Sequence, residues 1–333
     1  MTPLVSVIIP CWNTEAFIQQ CIASVLNQTM QDFEIIVVDN GSTDGSIRTI
    51  QALNDSRITL IELSENRGAS FAREQGFLKS KGQYIQYLDS DDLISPQKLE
   101  KQIAAIMNQQ NAIAFGDSCF FFDEENPWDK QPEPNHPFYF TSRDTLSFLL
   151  NLYGLNGRAG MIPIHAWLVP RSLIEEIGSW DLDLTVDDDG EYFCRVMLEA
   201  SEIHFVNDAP VYYRKHRHRK SLSREQTLKG NKSAFAAAES KLQHCQKKHP
   251  EDLRIHKVFA KHFMELADIN WPEFPSLTKA ALRKVKELGG TPHVPHIGNP
   301  VLNRLKFLFG WKSMKWLSWK KNQLFPSSYA GQN

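Results

Sequence analysis

The chain has 333 residues, 42% apolar and 23% charged, with a formal net charge of −2. That length suffices for a real core, as one large domain with appendages or as two domains. The balance is that of an ordinary globular protein and excludes a global basic field for nucleic acid.

The chain opens on Val5–Ile9, a β-rich run ended by Pro10, where no signal peptide is read. Glu15–Asn27 carries Phe17, Ile18, Cys21, Ile22, Val25 and Leu26 at helical spacing. Phe33–Val38 is nearly all apolar, as in a strand covered on both faces. A turn over Asn40–Gly45 leads into a helix to about Leu53. Strand Ile58–Leu63, helix Ala69–Ser80 and strand Tyr84–Leu88 follow. Ser95-Pro96 predicts an N-cap and first-turn proline for a helix to about Asn108, and Ala112–Phe115 a fifth strand. This alternation predicts an α/β fold: a mostly parallel, Rossmann-like sheet with helices on both faces, binding ligands at the carboxyl ends of its strands.

From Asp117 to Phe140 prolines, aromatics and acids break the pattern, which predicts an irregular or hairpin insertion. A helix near Ser142–Leu152, a strand near Ala166–Val169, helices near Arg171–Ile177 and Asp188–Glu199, and a strand at Ile203–Val206 come next. After about Gln226 the chain is helical and polar. The five cysteines (Cys11, Cys21, Cys119, Cys194, Cys245) are scattered and form no C-x-x-C pair. They imply neither a disulfide framework nor a zinc site, and fit a reducing, cytoplasmic compartment.

Four segments carry candidate chemistry. Asp89-Ser90-Asp91-Asp92 follows a buried strand; in extended backbone Asp89 and Asp91 face one ligand and Asp92 turns away or caps. Hard carboxylate oxygens suit Mn²⁺ or Mg²⁺ shared with substrate phosphates; an acidic capping turn is the bland alternative. Asp39 also ends a strand, where it accepts either from a nucleotide or from its own turn. Asp187-Asp188-Asp189 opens a helix, where acids complement the dipole, or one serves as a base of raised pKa. Arg214–Lys220 packs five cations and two histidines into seven residues: a grip for a diphosphate or anionic lipid, a solvated loop, or a nuclear-localisation or nucleic-acid patch.

Together these segments resemble the inverting family 2 glycosyltransferases, which have the GT-A fold. The resemblance lies in Val5–Asn13, Ser24–Thr29, Phe33–Asp44, Asn66-Arg67-Gly68 with Ala72-Arg73, and Tyr87–Asp92, in order and spacing over about residues 4–95. A looser match continues to about Ser223. It implies that Pro10, Trp12 and Glu15 line a base pocket, that Asp39 contacts the base, and that Arg73 lies near the donor phosphates. It also implies donor contact at Asp89, a metal at Asp91 with Asp89, a catalytic base at Asp189 beside Asp188, and His216 or a nearby cation closing over the diphosphate. Arg195 stands six residues after Asp189, as in the family. Trp12, Asn40, Glu74 and Asp188 depart from the family's usual Tyr, Asp, Asn and Glu.

The expected protein is a catalytic domain over 1–226, donor half about 1–116 and acceptor half about 117–226, plus a helical region over 227–333. The expected reaction moves a sugar from a nucleotide-diphosphate donor, UDP by the resemblance of Asp39, to a hydroxyl of a cell-surface glycan or lipid-linked saccharide. The alternatives are a non-catalytic sugar- or nucleotide-binding module and a nucleotidyltransferase, which should show a Gly-rich triphosphate loop where Pro10–Asn13 stands. No nucleic-acid partner and no spanning helix are expected. After Glu287 the sequence has no acid, and 300–321 mixes six cations with Trp311, Trp316 and Trp319. That composition predicts an amphipathic helix on the cytosolic membrane face, or one packed on protein.

Overall fold

The computed structural model describes residues 2–132, 137–217 and 227–324. Its sheet begins with β1 (Val5–Cys11), β2 (Phe33–Asn40), β3 (Ile58–Leu63) and β4 (Tyr84–Tyr87), parallel and ordered β3-β2-β1-β4. Val7, Ile8, Ile9 and Ile35–Val38 are buried because helices cover both faces. Of the connecting helices α1 (Ile18–Leu26), α2 (Ser46–Ala52) and α3 (Ala69–Lys79), α1 buries Ile18, Cys21, Ile22 and Val25 on one side, and α3 packs on β1 and β2. Burial of one such aliphatic chain contributes roughly 1.5–3 kcal/mol, so this half is held chiefly by its sheet–helix contacts.

The sheet continues through β5 (Leu93–Ile94), β6 (Ala112–Phe122), β7 (Trp167–Pro170) and β8 (Glu202–Lys215), in the order β7-β6-β8-β5 after β4. Strands β7 and β5 run against the other six. The helices of this half are α4 (Lys98–Ile106), α5 (Thr145–Leu152), α6 (Arg171–Ile177) and α7 (Asp188–Glu199).

Three expectations change here. Strands β6 and β8 run far beyond Ala112–Phe115 and Ile203–Val206. Their parallel register jumps from Gly116↔Val206 to Ser118↔Val211, so Asn207–Pro210 bulge out of β8, with Asp208 at φ 61°. That polar, proline-bearing bulge masks the strand in the sequence. Gly116 is required there, since a Cβ would come within 2.0 Å of the Ala209 carbonyl oxygen. Ser95 does not cap α4: the helix starts at Lys98, and the buried Ser95 hydroxyl has no hydrogen-bond partner. The reason is β5, which pairs with β8 and fixes Ser95 by its N–H to the Pro210 carbonyl (3.0 Å). The third change is at Asp89–Asp92, described below.

The chain divides into two compact units, Met1–Glu225 and Gln226–Asn333. The second contains α8 (Leu228–Lys248), α9 (Leu253–Asn270), α10 (Pro275–Glu287), α11 (Pro300–Phe309) and α12 (Trp311–Leu324). Ile255, Phe259, Phe263, Ala281 and Val285 form its buried seam. Residues 300–321 are not one helix, because Gly310 at φ 79° separates α11 from α12. No described helix is long and apolar enough to cross a membrane. All five cysteines are buried, and none is in a disulfide.

Candidate active site

The parallel strands end on one edge, which sets Trp12, Asp39, Asp89, Asp123 and His216 at or just beyond the ends of β1, β2, β4, β6 and β8. Around β1 and β2 the loops are laced together. Asn13 donates its N–H to Ser42 Oγ (3.0 Å) and accepts Thr43 N–H at Oδ1 (2.8 Å). Thr14 N–H reaches Ser46 Oγ (3.0 Å), and Glu15 N–H reaches Asp44 Oδ2 (3.1 Å). The Glu15 carboxylate accepts Gly45 N–H (2.9 Å), so this residue braces the loop pair. Pro10 is half-buried within β1, and Trp12 is exposed at its end.

Asp39 makes the expected turn bond and keeps its other oxygen out of it. Oδ2 accepts the Ser42 N–H (3.0 Å), the turn bond. Oδ1 is buried and has no hydrogen-bond partner. An enclosed, unsatisfied carboxylate oxygen is costly. One Asp39 oxygen is thus left as an acceptor not used by the described residues.

Across the edge, Asp89–Asp92 is a closed turn, with Asp92 N–H donating to the Asp89 carbonyl (3.1 Å). The two-residue alternation of extended backbone therefore does not apply: the Asp89 and Asp92 carboxylates approach one another, and Asp91 takes a different partner. Asp89 pairs with Arg73 Nη2 (2.8 Å), and Asp91 Oδ2 meets His216 Nε2 (2.8 Å). Asp92 is buried, accepts the Arg214 N–H (2.7 Å) and lies 3.2 Å from His165 Nδ1. Burial, then the charges of Asp91 and Asp89, pushes the Asp92 carboxyl well up.

Arg73, on α3, is buried and joins two segments of the site. It holds Asp89 on one side and Asp188 Oδ2 (3.1 Å) on the other, above the Trp180 ring. Ser70 Oγ also donates to Asp188 Oδ2 (2.6 Å). Asp188 and Asp189 form the first turn of α7, after Asp187 in left-handed backbone (φ 62°). Asp189 Oδ1 accepts the Gly190 N–H (2.8 Å). Its carboxyl is pushed up to about 7, first by desolvation and then by the Asp188 charge, against the opposing pull of Arg73. Arg195 faces away from this chemistry: it grips Glu191 (2.9 Å) and the Ile177 carbonyl (3.0 Å).

His216 follows β8 and lies against Phe17, with ring centres 5.1 Å apart; its hydrogen bond to Asp91 raises its pKa. Arg214 is the residue that sequence reasoning left inside an undivided basic run. Its Nε donates to the Asp91 carbonyl (2.8 Å) and its Nη2 to Gln20 Oε1 (2.7 Å), between the rings of Phe17 and Phe121. The run therefore splits: Arg214 is structural, and His216 faces a cleft of about 550 Å³ lined by Asn13, Glu15, Phe17, Asp44 and Asp123. His218, Arg219 and Lys220 lie outside the described residues.

Two groups offer metal-type donors. Asp89, Asp92 and His165 bring ligand atoms within 4.8 Å of one another, but Asp92 and His165 are enclosed. Mg²⁺ and Mn²⁺ favour oxygen donors, and Mg²⁺ sites usually keep waters and share substrate phosphates, so that enclosure does not fit. The Asp91–His216 pair offers one oxygen and one nitrogen donor, both partly exposed, with His216 lining the cleft.

Comparison with known proteins agrees with this architecture. S. aureus TarS, residues 1–349, superposes with a TM-score of 0.64 at 17% identity, over 97% of this chain and 92% of that one. A TarS complex with UDP-GlcNAc gives 0.61, also at 17% identity and with the same coverage. The fold is GT-A. The chain belongs to glycosyl transferase family 2, whose model matches residues 6–178. An uncharacterized glycosyltransferase of Haemophilus influenzae is 41% identical over 120 residues, 35% of this chain and 48% of that protein. The putative teichuronic acid biosynthesis glycosyltransferase TuaG of Bacillus subtilis is 38% identical over 130 residues, 38% of this chain and 52% of that protein. The matched region thus spans about half the length of these relatives.

Proposed function

We propose that the enzyme is an inverting hexosyltransferase using a UDP-sugar, with its donor half in residues 1–116 and its acceptor half in 117–226. The observation that carries this reading is Asp189: a carboxyl pushed up to about 7 at the start of α7, tied to the strand-edge carboxylates through Asp188, Arg73 and Asp89. A base tuned near the working pH is the group that glycosyl transfer to a hydroxyl requires. Asp189 takes the acceptor proton as the acceptor oxygen bonds to the anomeric carbon. The bond from that carbon to the diphosphate oxygen breaks on the opposite face, and its electron pair leaves with UDP.

The unpartnered Asp39 Oδ1 accepts the uracil N–H, Pro10 and Trp12 cover the base, and Glu15 keeps their loop in shape. Arg73 orients Asp89 toward the donor's ribose or sugar. A divalent Mn²⁺ or Mg²⁺, held by Asp91 with His216 and with Asp89 beside them, would neutralise charge on the leaving diphosphate. The UDP-GlcNAc complex of TarS supports the nucleotide choice. A non-catalytic binding module would have no need of Asp189, and Pro10-Cys11-Trp12-Asn13 is not a triphosphate loop. The test is thermal stabilisation by UDP-, GDP- and dTDP-sugars with and without Mn²⁺, followed by the anomeric configuration of the product. Stabilisation by a UDP-sugar and an inverted product are expected; no response to any donor, or a retained configuration, refutes the reading.

The acceptor is a hydroxyl of a cell-surface glycan or lipid-linked saccharide, met at the cytosolic membrane surface. The name of TuaG supports the glycan. The surface contact is the end of α11, where Phe307, Leu308 and Phe309 are 74%, 77% and 61% exposed just before the Gly310 break. Cations without acids surround them in the sequence after Glu287, which suits anionic lipid. Phe307→Ser with Leu308→Ser should release the protein from vesicles containing phosphatidylserine; undiminished binding removes this contact.

A further inference from the structure

Asp123 has no role in the reaction as described, yet it faces the residue on which the metal reading depends. Strands β6 and β8 end in register, Phe122 opposite Lys215, so Asp123 and His216 leave the sheet side by side. Asp123 Oδ1 and Oδ2 each lie 3.3 Å from His216 Nδ1, while the other ring nitrogen meets Asp91 at 2.8 Å. Phe17 flanks the ring, and Arg214 Nη1 stands 3.6 Å from Asp123 Oδ1, which steadies the carboxylate without covering it. Asp123 itself lines the open cleft.

We infer that Asp123 is a positioning residue that selects the His216 tautomer and aims Nε2 at the divalent ion beside Asp91. The physical reason is general. An imidazole binds a metal through one nitrogen only when the other keeps the proton, and a carboxylate accepting that N–H fixes both tautomer and ring plane. Asp123 is at the correct nitrogen for this. The line Asp123–His216–Asp91 joins the ends of β6 and β8 to the turn after β4, so the insertion after β6 also bears on donor binding. This rests on the proposal that Asp91 and His216 hold the ion.

The experiment is a calorimetric Mn²⁺ titration of the full chain in saturating UDP, beside UDP titrations without metal. Asp123→Ala should weaken Mn²⁺ binding about 10- to 100-fold, the range for loss of such an outer partner, with metal-free UDP binding unchanged. Asp123→Asn keeps a neutral acceptor for the Nδ1 proton and should restore most of the affinity. Mn²⁺ binding by Asp123→Ala equal to wild type overturns the inference. So does equal loss of Mn²⁺ and metal-free UDP binding, which marks a merely structural residue. If wild type and His216→Ala bind Mn²⁺ alike, the ion site itself was misassigned and the inference falls with it.

Discussion

The two sides of the strand edge are built by opposite means. Around β1 and β2, hydrogen bonds between two adjoining loops brace a pocket wall: Asn13 to Ser42, Glu15 to Gly45, Thr14 to Ser46. Among the described residues of this wall, Asp39 Oδ1 is buried and left without a partner. Around β4, β8 and α7, ion pairs join residues more than a hundred positions apart, Arg73 with Asp188 and Asp91 with His216. The first side is a shape waiting for one hydrogen bond. The second is an electrostatic assembly whose parts set one another's charge. Substitutions on the first side should therefore change affinity, and on the second rate and stability.

The largest expected effect lies on the second side. Asp189→Asn should lower kcat by about 10²- to 10⁴-fold, the usual weight of a general base, while UDP-sugar affinity by calorimetry stays at the wild-type value. Loss of affinity with rate would dissolve the division between the sides. Arg73→Met comes next. It strands Asp89 and Asp188 without their cation, and removing one partner of a buried pair costs about 3–5 kcal/mol. The lower end applies because Asp89 is partly solvated. A clear fall in melting temperature is expected.

The same group sets the pH response. A base must be deprotonated, so kcat/KM should rise with pH and level off above about 7, where the Asp189 carboxyl titrates. Arg73 pulls that carboxyl down. In Arg73→Met the limb should move to higher pH, whereas Asp39→Asn should leave it in place. A flat wild-type profile from pH 5 to 8 would take the base role from Asp189.

The same contrast governs what could be read from sequence. The β1–β4 half was legible because local signals coincide: apolar strands, a helical stripe at Ile18–Val25, and Asp39 at a strand end. Its site residues lie within a few positions of those signals. The β6–β8 half was legible only in pieces. The bulge at Asn207–Pro210 hid the length of β8, and the acids and prolines after Phe122 hid the continuation of β6. Asp123 was invisible because its meaning comes from His216, which follows β8. The turn at Asp89–Asp92 shows a subtler failure: the residues were singled out, but from an alternation that the hydrogen bond from Asp92 to Asp89 abolishes.

The smallest expected effect belongs to Asp39, and it is the sharpest test of the first side. In Asp39→Asn the amide oxygen can keep the Ser42 N–H, so the turn survives. The amide nitrogen then occupies the place of the unpartnered Oδ1 and offers a donor where an acceptor stood. A base presenting N–H there meets donor against donor, with a loss of about 1–3 kcal/mol. UDP-sugar affinity should fall roughly 10- to 100-fold while kcat at saturation changes little, because no charge near the reacting bond has moved. A nucleotide whose base presents an acceptor at that point should lose less or gain. If instead kcat falls and affinity holds, Asp39 acts on the chemistry, and the pocket wall and the ion-pair assembly are one device rather than two.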